Sequence, residues 1–354
     1  MTVVIFILLV GLAAANGGND VPKGVATLGG AGVASYRTAV VWGTVTTLAG
    51  SLCSLALADR MTALFSKGIV SAPATDPFAF AVLLGTASWI VLATFLRLPV
   101  STTHALVGSL IGAGVLLGSS SGSSVHVEVL GSKVVLPLLA SIAVAYVLSA
   151  VLRQVARRFT RPDRCTCAQA EAEVISVPTG GGVQVGTVTT CAVHRDRTAR
   201  GFDVVTAAHW LSSGAASFAR GLNDTPKIVA IGTFSLVPAG MTITQVLLAV
   251  ALAMVVGSLV GGLRVARRLG EDVVKMSHVE GLTANLTTAV LVGFGAGAGM
   301  PMSTTQVSTG AIAGIAGRDV GRLNRRSLRD FLLAWTATPL IAAGVAALAF
   351  LLVR

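Results

Sequence analysis

Asn19-Asp20-Val21-Pro22-Lys23 recurs as Asn223-Asp224-Thr225-Pro226-Lys227, and both copies sit beside strongly apolar runs. A second pair answers the first: Pro99-Val100-Ser101-Thr102-Thr103-His104 and Pro301-Met302-Ser303-Thr304-Thr305-Gln306. Asn19 precedes Ser101 by 82 residues and Asn223 precedes Ser303 by 80. Two unlike motifs, each repeated in the same order at nearly the same spacing, describe a chain of two homologous halves with one polar site between them.

Composition fixes the solvent. Of 354 residues, 53% are hydrophobic and 12% charged, where soluble domains carry about 25% charged residues. Mean hydropathy is +0.81. Forty glycines, with abundant Ala, Ser and Thr, are the small residues that let membrane helices approach closely. This excludes an ordinary soluble domain and predicts an all-α polytopic membrane protein. The net charge of +11 gathers in loops, which is the bias of cytoplasmic segments rather than a nucleic-acid surface. The opening run Val3–Ala15 lacks a basic stretch before it and leads straight into Asn19-Asp20, so it reads as a first membrane segment and not a signal peptide.

Apolar segments fall near 2–18, 38–58, 78–96, 102–118 and 131–152, and again near 203–222, 240–262, 280–298, 304–317 and 330–353. Several are shorter than the ~20 residues of a full span. The short ones carry the repeated motifs, which predicts broken or re-entrant helices lining a cavity. Residues 1–152 form a first membrane repeat, 153–201 a loop, and 202–354 a second repeat. Arg153, Arg157, Arg158, Arg161 and Arg164 place the loop in the cytoplasm. Counting spans outward puts both termini outside. The loop with Arg264, Arg267, Arg268 and Lys275, and that with Arg318, Arg322, Arg325, Arg326 and Arg329, fall inside. The outside loop with Arg60 and Lys67 is offset by Asp59 and Asp76. Five spans per half is an odd number, so the halves run in opposite senses: inverted-topology repeats.

The central stretch holds Cys165-Thr166-Cys167, a Val/Thr/Gly-rich run with Gly180-Gly181-Gly182 at its turn, and Cys191-Ala192-Val193-His194. Glu173–Thr190 reads as a hairpin. Cys165, Cys167, Cys191 and His194 are candidate zinc ligands, although C-x-C and C-x-x-H are tight for zinc, and reduced thiols in a cytosolic loop are the plain alternative. Cys53 lies in an apolar run and reads as a small core residue.

Pro before Ser-Thr-Thr, ahead of an apolar run, starts a helix. Its first turn presents unpaired N–H groups and the positive end of the macrodipole, to which Ser101, Thr102, Thr103, Ser303, Thr304 and Thr305 add uncharged donors. Such an end binds anions, and two in opposed halves would address one spot. The alternative is that the hydroxyls cap their own helices. Asp20 and Asp224 repel an anion, so a cation must intervene or a proton be carried. Lys23 and Lys227 lie three residues after each Asp, within pairing reach on a helix. They compensate the carboxylates, contact the anion, or form structural ion pairs. If both are protonated the carboxylates are balanced and no Na⁺ is needed.

The doubled N-D motif, the doubled P-x-S-T-T motif and Gly281-Leu282-Thr283-Ala284-Asn285-Leu286 together resemble the PiT family of inorganic phosphate transporters, over essentially the whole membrane part. The resemblance implies a plasma-membrane carrier that moves inorganic phosphate by alternating access around a site at the repeat interface, with Na⁺ or H⁺ as coupling ion. It implies that Asn19, Asp20, Asn223 and Asp224 form a broken-helix part of the site and the six Ser/Thr residues a hairpin part. Asp20, Lys23, Asp224, Lys227 and His104 are the candidates for coupling or charge compensation. The family form continues N-D with V-A-N; here Val-Pro-Lys and Thr-Pro-Lys stand instead, and Gln306 replaces a His. Sulfate or another tetrahedral oxyanion is the alternative substrate. Sulfate cannot donate a hydrogen bond to a carboxylate, and a site rich in acceptors favours phosphate. An intramembrane enzyme with His104 as base and Ser101 as nucleophile, or a sensor, fits less well. There is no H-E-x-x-H, G-x-S-x-G or Walker A sequence. Expected partners are phosphate, the bilayer and a second copy of the chain, with no nucleic acid and no required cofactor.

Overall fold

The computed structural model describes residues 1–57, 59–71, 75–121, 125–159, 164–168, 183–187, 198–199 and 204–353. The first half contains α1 (Thr2–Gly30), α2 (Tyr36–Leu57), the single turn α3 (Asp59–Ala63), α4 (Asp76–Phe95), α5 (Thr102–Ser121), the short α6 (Val127–Val129) and α7 (Leu136–Phe159). The second contains α8 (Val204–Leu236), α9 (Ile243–Glu271), α10 (His278–Ala298), α11 (Thr304–Gly314) and α12 (Arg325–Val353). Five principal helices on each side of the central stretch match the five apolar segments of each half. Among the described residues, seven helices are long and apolar enough to cross a membrane. The outer surface is apolar, with Val3, Leu252, Val260 and Leu352 exposed as lipid-facing residues are. Cys53 is on this surface too, not in the core as expected, because the apolar run around it turns that face of α2 outward.

Two extents differ from expectation. The segments expected at 2–18 and 203–222 continue as helix through both N-D motifs, and Pro22 and Pro226 lie inside α1 and α8. A proline removes one N–H and crowds the carbonyl four residues back. Membrane helices tolerate this where neighbouring elements satisfy the freed group, and both prolines are buried inside the helix bundle. The helical path instead breaks at residues 96–101 and 299–303, just before the Ser-Thr-Thr motifs. Both breaks are built alike. Arg97 adopts φ 59° and Gly299 φ 71°. Leu98 N bonds Ala93 O at 2.8 Å and Met300 N bonds Gly295 O at 2.8 Å, which closes each helix with a left-handed residue. Glycine is the usual occupant of that position.

Packing is symmetric between the halves. α1 packs on α9, and α8 on α2; α5 packs on α12, and α11 on α7. α4 touches α1 and α12, as α10 touches α8 and α7. Exchanging the halves maps each of these contacts onto another. Small residues set the approach: a Cβ on Gly257 would overlap the Ala14 carbonyl oxygen, and one on Gly221 the Thr47 carbonyl oxygen. At such crossings dispersion between close backbones replaces the hydrophobic drive that lipid does not supply.

In the central stretch β1 (Arg164–Ala168) pairs antiparallel with β2 (Val183–Thr187), Arg164 opposite Thr187, and with β3 (Thr198–Ala199). The first arm of this hairpin lies before the expected Glu173–Thr190 run, and the residues between the arms lie outside the described set. At the end of the bundle nearest this stretch, Ser277 caps α10, and Glu280 accepts from Arg153 Nε at 2.8 Å and Arg322 Nη1 at 2.9 Å. The hydrogen bonds to that carboxylate hold the Arg322 guanidinium above its ordinary pKa range.

Candidate functional site

On a helix, positions i, i+3, i+4 and i+7 share a face. Asn16, Asn19, Asp20 and Lys23 occupy that pattern on α1, and Arg220, Asn223, Asp224 and Lys227 occupy it on α8. All eight are buried. Each set begins at the middle of its helix, and charge at such depth is expensive to hold unpaired.

The hairpin tips meet on these two faces. Ser101 and Ser303 cap α5 and α11, accepting from His104 N at 3.3 Å and Gln306 N at 3.2 Å. Their hydroxyls also touch each other at 2.9 Å. Capping and site-building are therefore done by the same atoms, and two positive helix ends are brought head to head. Asn19 and Asn223 brace the broken backbone. Asn19 Nδ2 donates to Leu98 O at 3.0 Å and its Oδ1 accepts from Val100 N at 3.2 Å; Asn223 Nδ2 donates to Met302 O at 3.1 Å and its Oδ1 accepts from Met302 N at 3.4 Å. These bonds satisfy groups that no helix or lipid would satisfy.

Each lysine ammonium sits among three oxygens. Lys23 Nζ donates to the Asp20 carboxylate, to Val100 O at 2.7 Å and to Thr305 Oγ1. Lys227 Nζ donates to Asp224 Oδ1 at 3.2 Å, to Met302 O at 3.2 Å and to Thr103 Oγ1 at 2.8 Å. In both cases the set is a carboxylate and a tip carbonyl of the same half plus a threonine hydroxyl of the other half. Oxygen donors of this kind are also what hard cations take.

The carboxylates are served unequally. Thr102 Oγ1 donates to Asp20 Oδ2 at 2.8 Å, and Thr304 Oγ1 reaches Asp20 Oδ1 at 3.3 Å. Asp224 Oδ2 has no hydrogen-bond partner among the described residues. Other buried polar atoms without a partner there include Asn16 Nδ2, His104 Nδ1, Asn285 Nδ2, Gln306 Oε1, and both Nε and Nη1 of Arg220. His104 is joined to the cluster through its backbone N–H only, and its ring makes no bond to either carboxylate among the described residues.

Arg220 and Asn16 are the residues that sequence reasoning missed. Arg220 has 0% exposure and makes one long bond, Nη2 to Ser308 Oγ at 3.5 Å. Both carboxylates are within its electrostatic reach. It changes the charge count: Asp20 and Asp224 against Lys23, Lys227 and Arg220 leaves a formal +1. Its signal in the sequence was a lone arginine four residues before Asp224. Of the zinc candidates, Cys191 and His194 lie outside the described residues and Cys165 and Cys167 are described in backbone alone. No group of potential metal ligands occurs among the described residues.

Known proteins agree with this architecture. A model of the phosphate transporter family matches residues 16–346. A "probable low-affinity inorganic phosphate transporter" of Mycobacterium tuberculosis is 28% identical over 100% of this chain and 79% of its own length. One of the same description from Mycobacterium leprae is 27% identical over 96% and 75%. A solved structure described as "the sodium-dependent phosphate transporter" superposes with a TM-score of 0.71 over 99% of this chain and 98% of its own, at 20% identity, a likeness of fold. The family match runs from Asn16, at the head of the first polar helix face, to the last turns of α12, so the chain belongs to the phosphate transporter family and is an integral membrane protein that transports inorganic phosphate.

Proposed function

We propose that phosphate is carried by alternating access around the point where the two hairpin tips meet. Asn19, Asp20, Ser101, Thr102, Thr103, Asn223, Asp224, Ser303, Thr304 and Thr305 form the site of two inverted repeats. The observation that carries this reading is the head-to-head contact of Ser101 and Ser303, beside a buried set of charges with a formal excess of one positive. Two helix N-termini and a net positive centre stabilise an anion that has left water. Hydroxyls that now serve Asp20 are donors an arriving oxyanion can recruit.

Both termini lie outside and the central stretch lies in the cytoplasm on this reading. Sidedness is the same whether the α4–α5 and α10–α11 hairpins are counted as two spans each or as re-entrant pairs. Lys23 and Lys227 hold places that coupling cations would take, so transport runs on protons or by exchange. The solved relative described as sodium-dependent is alike in fold at 20% identity and leaves the coupling ion of this chain to its own residues. The test is uptake of radiolabelled phosphate against sulfate in proteoliposomes, with Na⁺ and H⁺ gradients imposed separately. Phosphate uptake above sulfate supports the reading. Sulfate uptake alone would move the chain to the oxyanion alternative.

A further inference from the structure

Arg220 and Asp224 stand one turn apart on the same face of α8, and both are buried, at 0% and 2% exposure. Opposite charges at i and i+4 ordinarily pair, yet no ion pair joins them; Asp224 is tied to Lys227 instead. The arginine keeps two donors, Nε and Nη1, and the aspartate keeps one acceptor, Oδ2, without partners among the described residues. A buried guanidinium with open donors is costly unless a ligand takes them. From this unspent complement of donors and acceptor on one helix face, we propose that Arg220 and Asp224 together read a protonated oxyanion. Arg220 donates to two unprotonated oxygens through a planar fork that matches phosphate, pairing one of its open donors, Nε–H or Nη1–H, with the parallel N–H of Nη2. Asp224 Oδ2 accepts from the remaining P–OH.

The pair works as a selector. Hydrogen phosphate and dihydrogen phosphate each carry a hydroxyl for Asp224. Sulfate at neutral pH has none, and its oxygen would face a carboxylate oxygen with no proton between them. A site that hydrogen-bonds a substrate hydroxyl rejects the analogue without one. On this account the first half cannot substitute: Asn16 stands where Arg220 stands and has no charge, and Asp20 already receives the hydroxyls of Thr102 and Thr304. The inference rests on phosphate transport as the function, and the experiment separates the two.

Purified protein is titrated with labelled inorganic phosphate, competed by unlabelled phosphate, arsenate or sulfate. Arsenate keeps a hydroxyl at neutral pH and is the positive control. The native protein should prefer phosphate and arsenate over sulfate. Arg220→Gln should weaken phosphate and arsenate by about 10- to 100-fold, the loss expected for hydrogen bonds to a charged group. Arg220→Lys should restore part of the affinity through its charge. Asp224→Asn should narrow the phosphate-to-sulfate ratio by a similar factor, because its amide can donate to sulfate. A merely structural Asp224 would lower both anions together and leave the ratio alone, and size-exclusion profiles identify variants that fail to fold. Native-like phosphate affinity in Arg220→Gln, or an unchanged ratio in folded Asp224→Asn, overturns the proposal. Loss of all binding in every variant, with Arg220→Lys also unfolded, overturns it in favour of a structural role. A native protein that binds sulfate and not phosphate overturns the functional reading itself.

Discussion

Replacing Na⁺ with a large organic cation should leave phosphate uptake by the native protein unchanged, and removing Lys23 should create a Na⁺ requirement. Five buried side chains set the electrostatics: Asp20, Asp224, Lys23, Lys227 and Arg220, formally +1 in sum. An arriving anion therefore finds its counter-charge already tethered to the chain. Lys23→Ala brings the sum to zero and strips the donor from Asp20 Oδ1, Val100 O and Thr305 Oγ1 together. Removing one partner of a buried pair costs about 3–5 kcal/mol. At about 1.4 kcal/mol per tenfold, that is about two to three and a half orders of magnitude in anion affinity if the cost falls on the bound state. The vacated oxygens are ligands of the type a small hard cation prefers, so Na⁺ entering there should recover part of the loss. The assay is labelled phosphate uptake into proteoliposomes at fixed pH, native against Lys23→Ala, in Na⁺ and in N-methylglucamine. Strict Na⁺ dependence of the native protein would refute the reasoning, as would a Lys23→Ala protein that stays fully active and indifferent to Na⁺.

Thr102→Val and Thr304→Val keep volume and lose a hydroxyl. Each should weaken phosphate binding by about 10-fold or more, Thr102→Val the more strongly because its bond to Asp20 is 2.8 Å against 3.3 Å; full-strength binding by the double variant sinks the site assignment. On a cysteine-free background, Ser132→Cys should react with impermeant thiol reagents from outside intact cells and Ser35→Cys should not, and the opposite pattern would show the charge bias misread. Gly257→Ala drives a methyl into the Ala14 carbonyl and should cost about 1–3 kcal/mol by overpacking. Thermal unfolding in detergent reads that loss, and an unchanged midpoint would mean that α1 and α9 are not as close as described.

The duplicated motifs made most of this legible in advance. Two copies of N-D and of P-x-S-T-T, in order, required two like halves, and the hydropathy gave five segments in each. The i, i+3 spacing put Lys23 and Lys227 within reach of their aspartates. Helix extents were not legible, because Asn-Asp followed by proline looks like a helix stop when read locally. The backbone that Asn19 and Asn223 brace instead, at Leu98, Val100 and Met302, lies far away in sequence. That misreading had a further effect: with a segment ending at 222, Arg220 fell near a helix end, where a basic residue is unremarkable. Only a helix continuing to Leu236 puts it at mid-span, beside Asp224. The unequal service of the two carboxylates was out of reach altogether, since it depends on which way two threonine hydroxyls point.

That inequality bears on how the carrier turns over. The helix contacts survive an exchange of halves, but the hydrogen bonds do not: both threonine donors favour Asp20, and Asp224 is left with a bare oxygen. On the alternating-access reading proposed above, the opposite-facing state would be the mirror arrangement, with the hydroxyls on Asp224 and Asp20 left waiting. If the two halves were identical, the arrangements would be degenerate and the molecule would idle equally between them. Here the degeneracy would be lifted wherever the halves disagree, Asn16 against Arg220 and His104 against Gln306 among those places. On that reading the mismatches would set the resting bias of the cycle, and exchanging one of them, Asn16→Arg with Arg220→Asn, should tilt the same protein toward its opposite face.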